Sequence, residues 1–288
     1  MLHSWVGAAG CCGEDPHPVH GAVLGDSSVV LVGKNDAGRD GTSGFVTRWM
    51  LSETPVSGRL VDEDAGVIQE SLVLDSSSAL VQVIEVGERI VAVGFESDSA
   101  SGPATALALV LNPETLEVLS RLELQGPDEG SSAVFESLAV TANGELLIGG
   151  SWGSSRSEIE GLKSYGNIWG GRGVLIQLDV EAWFASESKA VGLQDLGATL
   201  VEVPEVHSLK SIAVSPLGEV VAVGHDDAER SGVVWFESGL LDYQWPHFDD
   251  GIELTAVELV SEDNGDFSAV VAGHGGEGVI DGHVKKVD

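Results

Sequence analysis

The chain of 288 residues carries only two cysteines, Cys11 and Cys12, and they are neighbours. Adjacent cysteines cannot form an unstrained bridge, because disulfide geometry needs well-separated Cα atoms. No disulfide framework holds this fold, and the compartment cannot be read from one. Basic residues are scarce as well: 14 Lys and Arg stand against 46 Asp and Glu, for a formal net charge of −32 at pH 7. A field of that sign repels phosphate backbones and excludes nucleic acid as a partner. No apolar run approaches the ~18–20 residues that a membrane span needs. The sequence also lacks a Gly-x-Ser-x-Gly elbow, a His-Glu-x-x-His helix and a phosphate-cradling loop followed by Lys-Ser/Thr. Each of those patterns carries a specific chemistry, so their absence leaves no diagnostic catalytic or cofactor motif.

Glycine, by contrast, is abundant, with 38 residues against a typical usage of roughly 7%. An excess spread along the chain implies many tight turns and favours an all-β fold of short strands. Apolar runs ending in glycine recur five times: Val29–Gly33, Ile90–Gly94, Leu146–Gly150, Val220–Gly224 and Ala269–Gly273. Their anchors, Gly33, Gly94, Gly150, Gly224 and Gly273, lie 49 to 74 residues apart, which suits a repeat built from one four-stranded unit. Before each anchor a strand runs into a tight turn. Asn143-Gly144 predicts a type I′ hairpin, which needs positive φ at both central residues. After each anchor come a Gly/Ser/Asp-rich loop and a third strand, such as Gly173–Asp179; Val118–Leu124 and Leu200–Val203 read as fourth strands. Near-continuous β-branched runs indicate strands buried on both faces. The expected architecture is a five-bladed β-propeller of four-stranded antiparallel blades, since radial packing buries both faces of every sheet and leaves short protected edges.

The order of turn, apolar strand, anchor glycine, Gly/Ser loop and Gly-Val-Leu-Ile-Gln-Leu-Asp in residues 137–179 resembles the bacterial β-propeller repeat proteins often called SBBP-type. The resemblance extends in pattern over most of residues 20–288. It implies an envelope or secreted scaffold and assigns no catalytic residue. Residues 19–288 are expected to form the propeller domain, with 1–18 as an N-terminal tail. The last copy stops after its third strand, so Leu2–Gly7 or Val19–Leu24 is expected to complete the ring; an open fragment of a longer propeller is the competing picture. Small residues before Cys11 resemble the end of a bacterial lipoprotein signal, but Ala8 replaces the preferred Leu and the charged start is missing. An extended N-terminus would turn Cys11 into a lipid anchor.

The default ligand site is the face where the loops after each second strand gather: 34–43, 95–105, 151–172, 225–231 and 274–278. His225 and His274 occupy matching positions just after their anchors. With Asp226, Asp227 and Glu277 they are weighed as a transition-metal site, although the spacing matches no metal motif. Oxygen-rich stretches at 35–41 and 262–266 are read as turn chemistry and not as calcium loops. No metal or cofactor is expected. The longest loop, 151–172, carries Trp152, Tyr165 and Trp169 among Ser, Gly and Asn, a mixture suited to stacking on a sugar or gripping a protein. The expected ligand-binding residues are therefore Trp152, Tyr165, Trp169, His225 and His274. They serve a non-catalytic binding or interaction scaffold for carbohydrate or protein. The alternative is a glycoside hydrolase using channel-mouth carboxylates, with Glu136, His207 and Glu253 just ahead of inner strands as its candidate residues.

Overall fold

Every apolar run that precedes an anchor glycine becomes the second strand of an antiparallel sheet. The computed structural model describes residues 16–26, 28–36, 42–51, 66–74, 77–98, 102–154, 171–186, 188–226, 230–236, 243–244, 252–261, 267–275 and 282–287. The fold is all-β and propeller-like. Five sheets follow one another along the chain. The first contains β1 (Pro16–Val23), β2 (Ser28–Asp36), β3 (Thr42–Leu51) and β4 (Gly66–Val73). The second contains β5 (Ser77–Val86), β6 (Arg89–Ser97), β7 (Thr105–Leu111) and β8 (Val118–Leu124). The third begins with β9 (Ser132–Val140), β10 (Glu145–Ser154) and β11 (Arg172–Asp179). A short helix α1 (Val180–Phe184) and β12 (Ala190–Val191) intervene before its outer strand β13 (Thr199–Val203). The fourth contains β14 (Ser208–Val214), β15 (Val220–His225), β16 (Ser231–Phe236) and the brief β17 (Tyr243–Gln244). The last contains β18 (Ile252–Ser261), β19 (Phe267–Gly275) and β20 (Gly282–Val287).

Successive side chains on a strand point to opposite faces, so each second strand feeds two interfaces at once. On β6, Val91 and Val93 join the core between the second and third sheets, while Ile90 and Ala92 join the core between the first and second. On β15, Val220 and Ala222 face the third sheet, and Val221 and Val223 face the fifth. All eight are buried, at about 1.5–3 kcal/mol for each larger aliphatic side chain removed from water. The first strands form a series, β1 packing on β5, β5 on β9, β9 on β14 and β14 on β18. Among the described residues, β18 makes no comparable packing against β1.

Two expectations change. Val19–Leu24 does not complete the last sheet; residues 19–23 belong to β1, which pairs with β2 inside the first sheet. Leu2–Gly7 lies outside the described residues. The hairpin at Asn143-Gly144 is not type I′, because Gly144 has φ +83 and Asn143 has no positive φ. Instead Gly144 N–H donates to Thr141 O (3.0 Å) and Thr141 N–H donates to Glu145 O (2.9 Å), a three-residue loop whose last residue must be left-handed. Ser215–Glu219 repeats the arrangement, with Gly218 N–H on Ser215 O (2.9 Å) and Ser215 N–H on Glu219 O (2.9 Å).

An insertion in the third sheet, on which the sequence raised no expectation, crosses to the second. Asp179 caps α1 by accepting from Glu181 N and Ala182 N. Trp183 is fully buried and its indole N–H donates to Ser120 Oγ at 3.0 Å. Ser120 Oγ donates in turn to Ser188 O at 3.2 Å, and β12 pairs in parallel with β8 through Ala190–Arg121 and Val191–Leu122. This strap covers part of an edge strand that would otherwise present unpaired backbone groups.

Candidate functional site

The anchor glycines do not end their strands. They face a β-bulge on the first strand, and they do so in all five sheets. Gly33 pairs with Pro18, Gly94 with Leu80, Gly150 with Phe135, Gly224 with Leu209 and Gly273 with Leu254. In each case the next register position skips one residue: Val19, Val81, Glu136, Lys210 and Thr255 are the extra ones. A bulge bends its strand toward the partner and disrupts the ladder locally. A Cβ on Gly94, Gly150 or Gly224 would lie 2.0, 2.0 or 2.3 Å from the oxygen of Ala79, Val134 or Ser208. At these three positions glycine is required because the opposing backbone occupies the space of a side chain.

The residue that follows the bulge reaches across to the first strand of the next sheet. His20 Nδ1 accepts from Val83 N–H at 3.4 Å. Gln82 Oε1 accepts from Leu138 N–H at 2.6 Å, while its Nε2 donates to Leu138 O at 3.3 Å. Ser137 Oγ donates to Leu209 O at 3.0 Å, and Ser211 Oγ accepts from Val257 N–H at 3.3 Å. First strands are edge strands, whose outward N–H and C=O groups need partners when burial removes water. His20, Ser137 and Ser211 each supply one such partner and Gln82 supplies two, at about 0.5–1.5 kcal/mol net per bond. Burial holds the His20 imidazole below its usual pKa, and acceptance by Nδ1 requires the neutral ring.

At the loop end of the first four sheets, the first positions after the anchors are buried, and the side chain of His274 in the fifth lies outside the described residues. Lys34, Phe95, Ser151 and His225 are all buried. Phe95 packs with Ala79, Ala104 and Val134, and Ser151 Oγ bonds Ser154 Oγ. His225 stacks on His207 with ring centroids 5.8 Å apart and planes 24° from parallel. His207 immediately precedes β14, and its N–H donates to His225 O at 2.8 Å. Next to it, Ser208 Oγ donates to Glu136 Oε2 of the neighbouring sheet. Glu136 therefore sits mid-strand at the β9 bulge, not ahead of the strand. Glu253 lies in β18, opposite His274 in the backbone register.

Asp226 is engaged by its own loop. Its carboxylate accepts from Arg230 N at 3.0 Å, Nε at 2.9 Å and Nη2 at 2.6 Å. Asp227 and Glu277 lie outside the described residues. Among the described residues, no group of three or more His, Cys, Asp or Glu is placed to hold a metal ion, and no helix is long and apolar enough to cross a membrane.

Of the aromatic candidates, Trp152 belongs to β10 and pairs with Arg172 and Ala133. Its ring is half-buried against the core of the second and third sheets, and its indole N–H donates to Gln125 O at 2.9 Å. Arg172 Nη1 meets Glu202 Oε2 at 2.6 Å on the other side of the same hairpin. Tyr165 and Trp169 fall in residues 155–170, outside the described residues. The strands continue one to four residues past their anchors, so the connecting segments shorten to 37–41, 98–104, 155–171, 226–230 and 276–281. The latch residues His20, Gln82 and Ser211 escape a motif search because they differ in type; aligning first strands on the residue opposite each anchor would have found them.

No known family model matches the chain. No curated protein matches it either. Among solved structures it is similar to a point mutant of the Synechocystis apocarotenoid oxygenase (ACO), at 10% identity and TM-score 0.50, over 91% of this chain and 57% of that one. An ACO/RPE65 chimera gives 9% identity and TM-score 0.51 with the same coverage. An exo-1,5-alpha-L-arabinanase from a bovine ruminal metagenomic library shares 10% identity over 96% of this chain and 95% of that one, at TM-score 0.41. The chain thus spans little more than half the length of the oxygenase chains. At such identities the likeness to the oxygenase chains bears on the fold alone.

Proposed function

We propose that the five sheets are the blades of a five-bladed propeller and that the chain is a non-catalytic binding scaffold, recognising a glycan or a protein partner on its loop face. The ring reading is supported by the four serial joints between first strands, and by the apolar packing of the middle sheets on both faces. Closing the series would bring the two end sheets together in the same way.

The binding reading rests on one observation: the hairpin that carries the longest insertion is pinned at its stem. Trp152 is tied to Gln125, Ser151 to Ser154 and Arg172 to Glu202, in the two strands that residues 155–171, with Tyr165 and Trp169, connect in sequence. Binding residues are often carried on loops that a rigid scaffold positions, and tyrosine and tryptophan supply contact area at low entropic cost. The test is retention on a glycan array and on immobilised candidate proteins. Trp169→Ala and Tyr165→Ala should each weaken retention by about tenfold or more, equivalent to about 1.4 kcal/mol, with an unchanged melting temperature. Retention that survives both substitutions overturns the assignment. Turnover of chromogenic glycosides that Glu136→Gln abolishes would favour the hydrolase alternative.

A further inference from the structure

We infer that the ring has a built-in seam: the joint between the fifth and first sheets opens while the other four stay shut, because Ala256 stands where the other sheets carry a latch. This rests on the ring reading above. The residue after the bulge is His20, Gln82, Ser137 and Ser211 in the first four sheets, and each bonds the backbone of the next first strand. In the fifth sheet the register places Ala256 there, between the bulge residue Thr255 and Val257. A methyl group neither donates nor accepts. Three of the four latches reach the residue after the next latch position, Val83, Leu138 and Val257, while Ser137 reaches Leu209, two residues before Ser211; by the register of the three, Ala256 would face Gly21.

A second observation agrees. Among the described residues, the packing that joins β1 to β5, β5 to β9, β9 to β14 and β14 to β18 has no counterpart between β18 and β1. A seam of this kind lets the space between the first strands widen at one place without melting any sheet. The edge groups of β1 and β18 are then the first to be exposed.

Paired spin labels on the full chain test this, in a Cys11→Ser, Cys12→Ser background. Val23, Leu217 and Val260 are exposed and lie at the same end of their sheets. Labels at Val23→Cys and Val260→Cys report the seam; labels at Leu217→Cys and Val260→Cys report the latched joint between the fourth and fifth sheets. The expected result is a broad or two-population distance across the seam and a narrow one across the latched joint, with Ala256→Gln narrowing the first. A narrow, short seam distance in the parent chain overturns the seam and leaves the ring intact. A single long distance that Ala256→Gln does not change overturns the ring reading and the seam with it.

Discussion

The backbone oxygen of Val134 stands where a side chain on Gly150 would begin: a Cβ there would lie 2.0 Å from it. Neither the oxygen nor the Phe135 backbone behind it can give way without undoing the bulge that both strands share. Gly150→Ala should therefore cost more than about 3 kcal/mol, near the upper end of what overpacking does. Gly144 is the contrast. Its φ is +83 but a Cβ would meet nothing within 4 Å, so Gly144→Ala should cost only the left-handed strain, roughly 1–2 kcal/mol. Denaturant midpoints at constant m-value separate the two.

That contrast also marks what the sequence reveals. The five anchors are legible because each is a glycine closing an apolar run, and at Gly94, Gly150 and Gly224 a side chain is sterically forbidden. The bulges opposite them are not legible, since Val19, Val81, Glu136, Lys210 and Thr255 have no one chemistry in common and a bulge imposes none on its extra residue. The strap is partly legible: Asp179 followed by Glu181 is a helix-start pattern, but nothing local says that Val191 will pair in parallel with Leu122 of another sheet. His225 reads as a matching position in consecutive repeats. Its stacking partner His207 does not, because the pairing depends on register across β14 and β15. Trp152 reads as a loop aromatic because the apolar run ends at Gly150, whereas backbone pairing continues to Ser154.

His20 is the one ionisable member of the latch series. Its imidazole must stay neutral to accept from Val83 N–H, and burial lowers its pKa from 6.5 in the folded chain. The unfolded chain then binds the proton first as pH falls, so His20 contributes stability that is present above about pH 6.5 and lost as pH drops through the folded value. His20→Gln keeps an acceptor without the titration. Melting temperatures of parent and variant across pH 7.5 to 5 (roughly the window in which histidine titrates) should diverge, the parent falling more steeply. Parallel curves would exclude His20 as the cause.

Trp183 anchors the strap by both area and hydrogen bond, the indole N–H reaching Ser120 Oγ, which also donates to Ser188 O. Trp183→Ala should destabilise by about 3–5 kcal/mol, as expected for a large buried aromatic. Trp183→Phe should lose the hydrogen bond and part of the packing, at about 1–2 kcal/mol. Because Ser120 links Trp183 to Ser188, Ser120→Ala combined with Trp183→Phe should be less than additive by about 0.5 kcal/mol or more. Full additivity in a double-mutant cycle would show that the relay carries no coupling.

Trp152 and Trp169 separate binding from folding. Trp152 lies in the pinned stem, with its ring against the core and its N–H on Gln125 O. Trp152→Ala removes that packing and leaves the Gln125 carbonyl without its donor, so a loss of about 1–3 kcal/mol is expected, less than for a fully buried tryptophan. Retention should then fall together with the melting temperature, because the stem no longer holds the insertion. Trp169→Ala should lower retention alone. Were Trp152→Ala to abolish retention at an unchanged melting temperature, Trp152 would itself be a contact residue and the stem would not be what presents the loop. Thermal melts run beside each retention assay make the distinction.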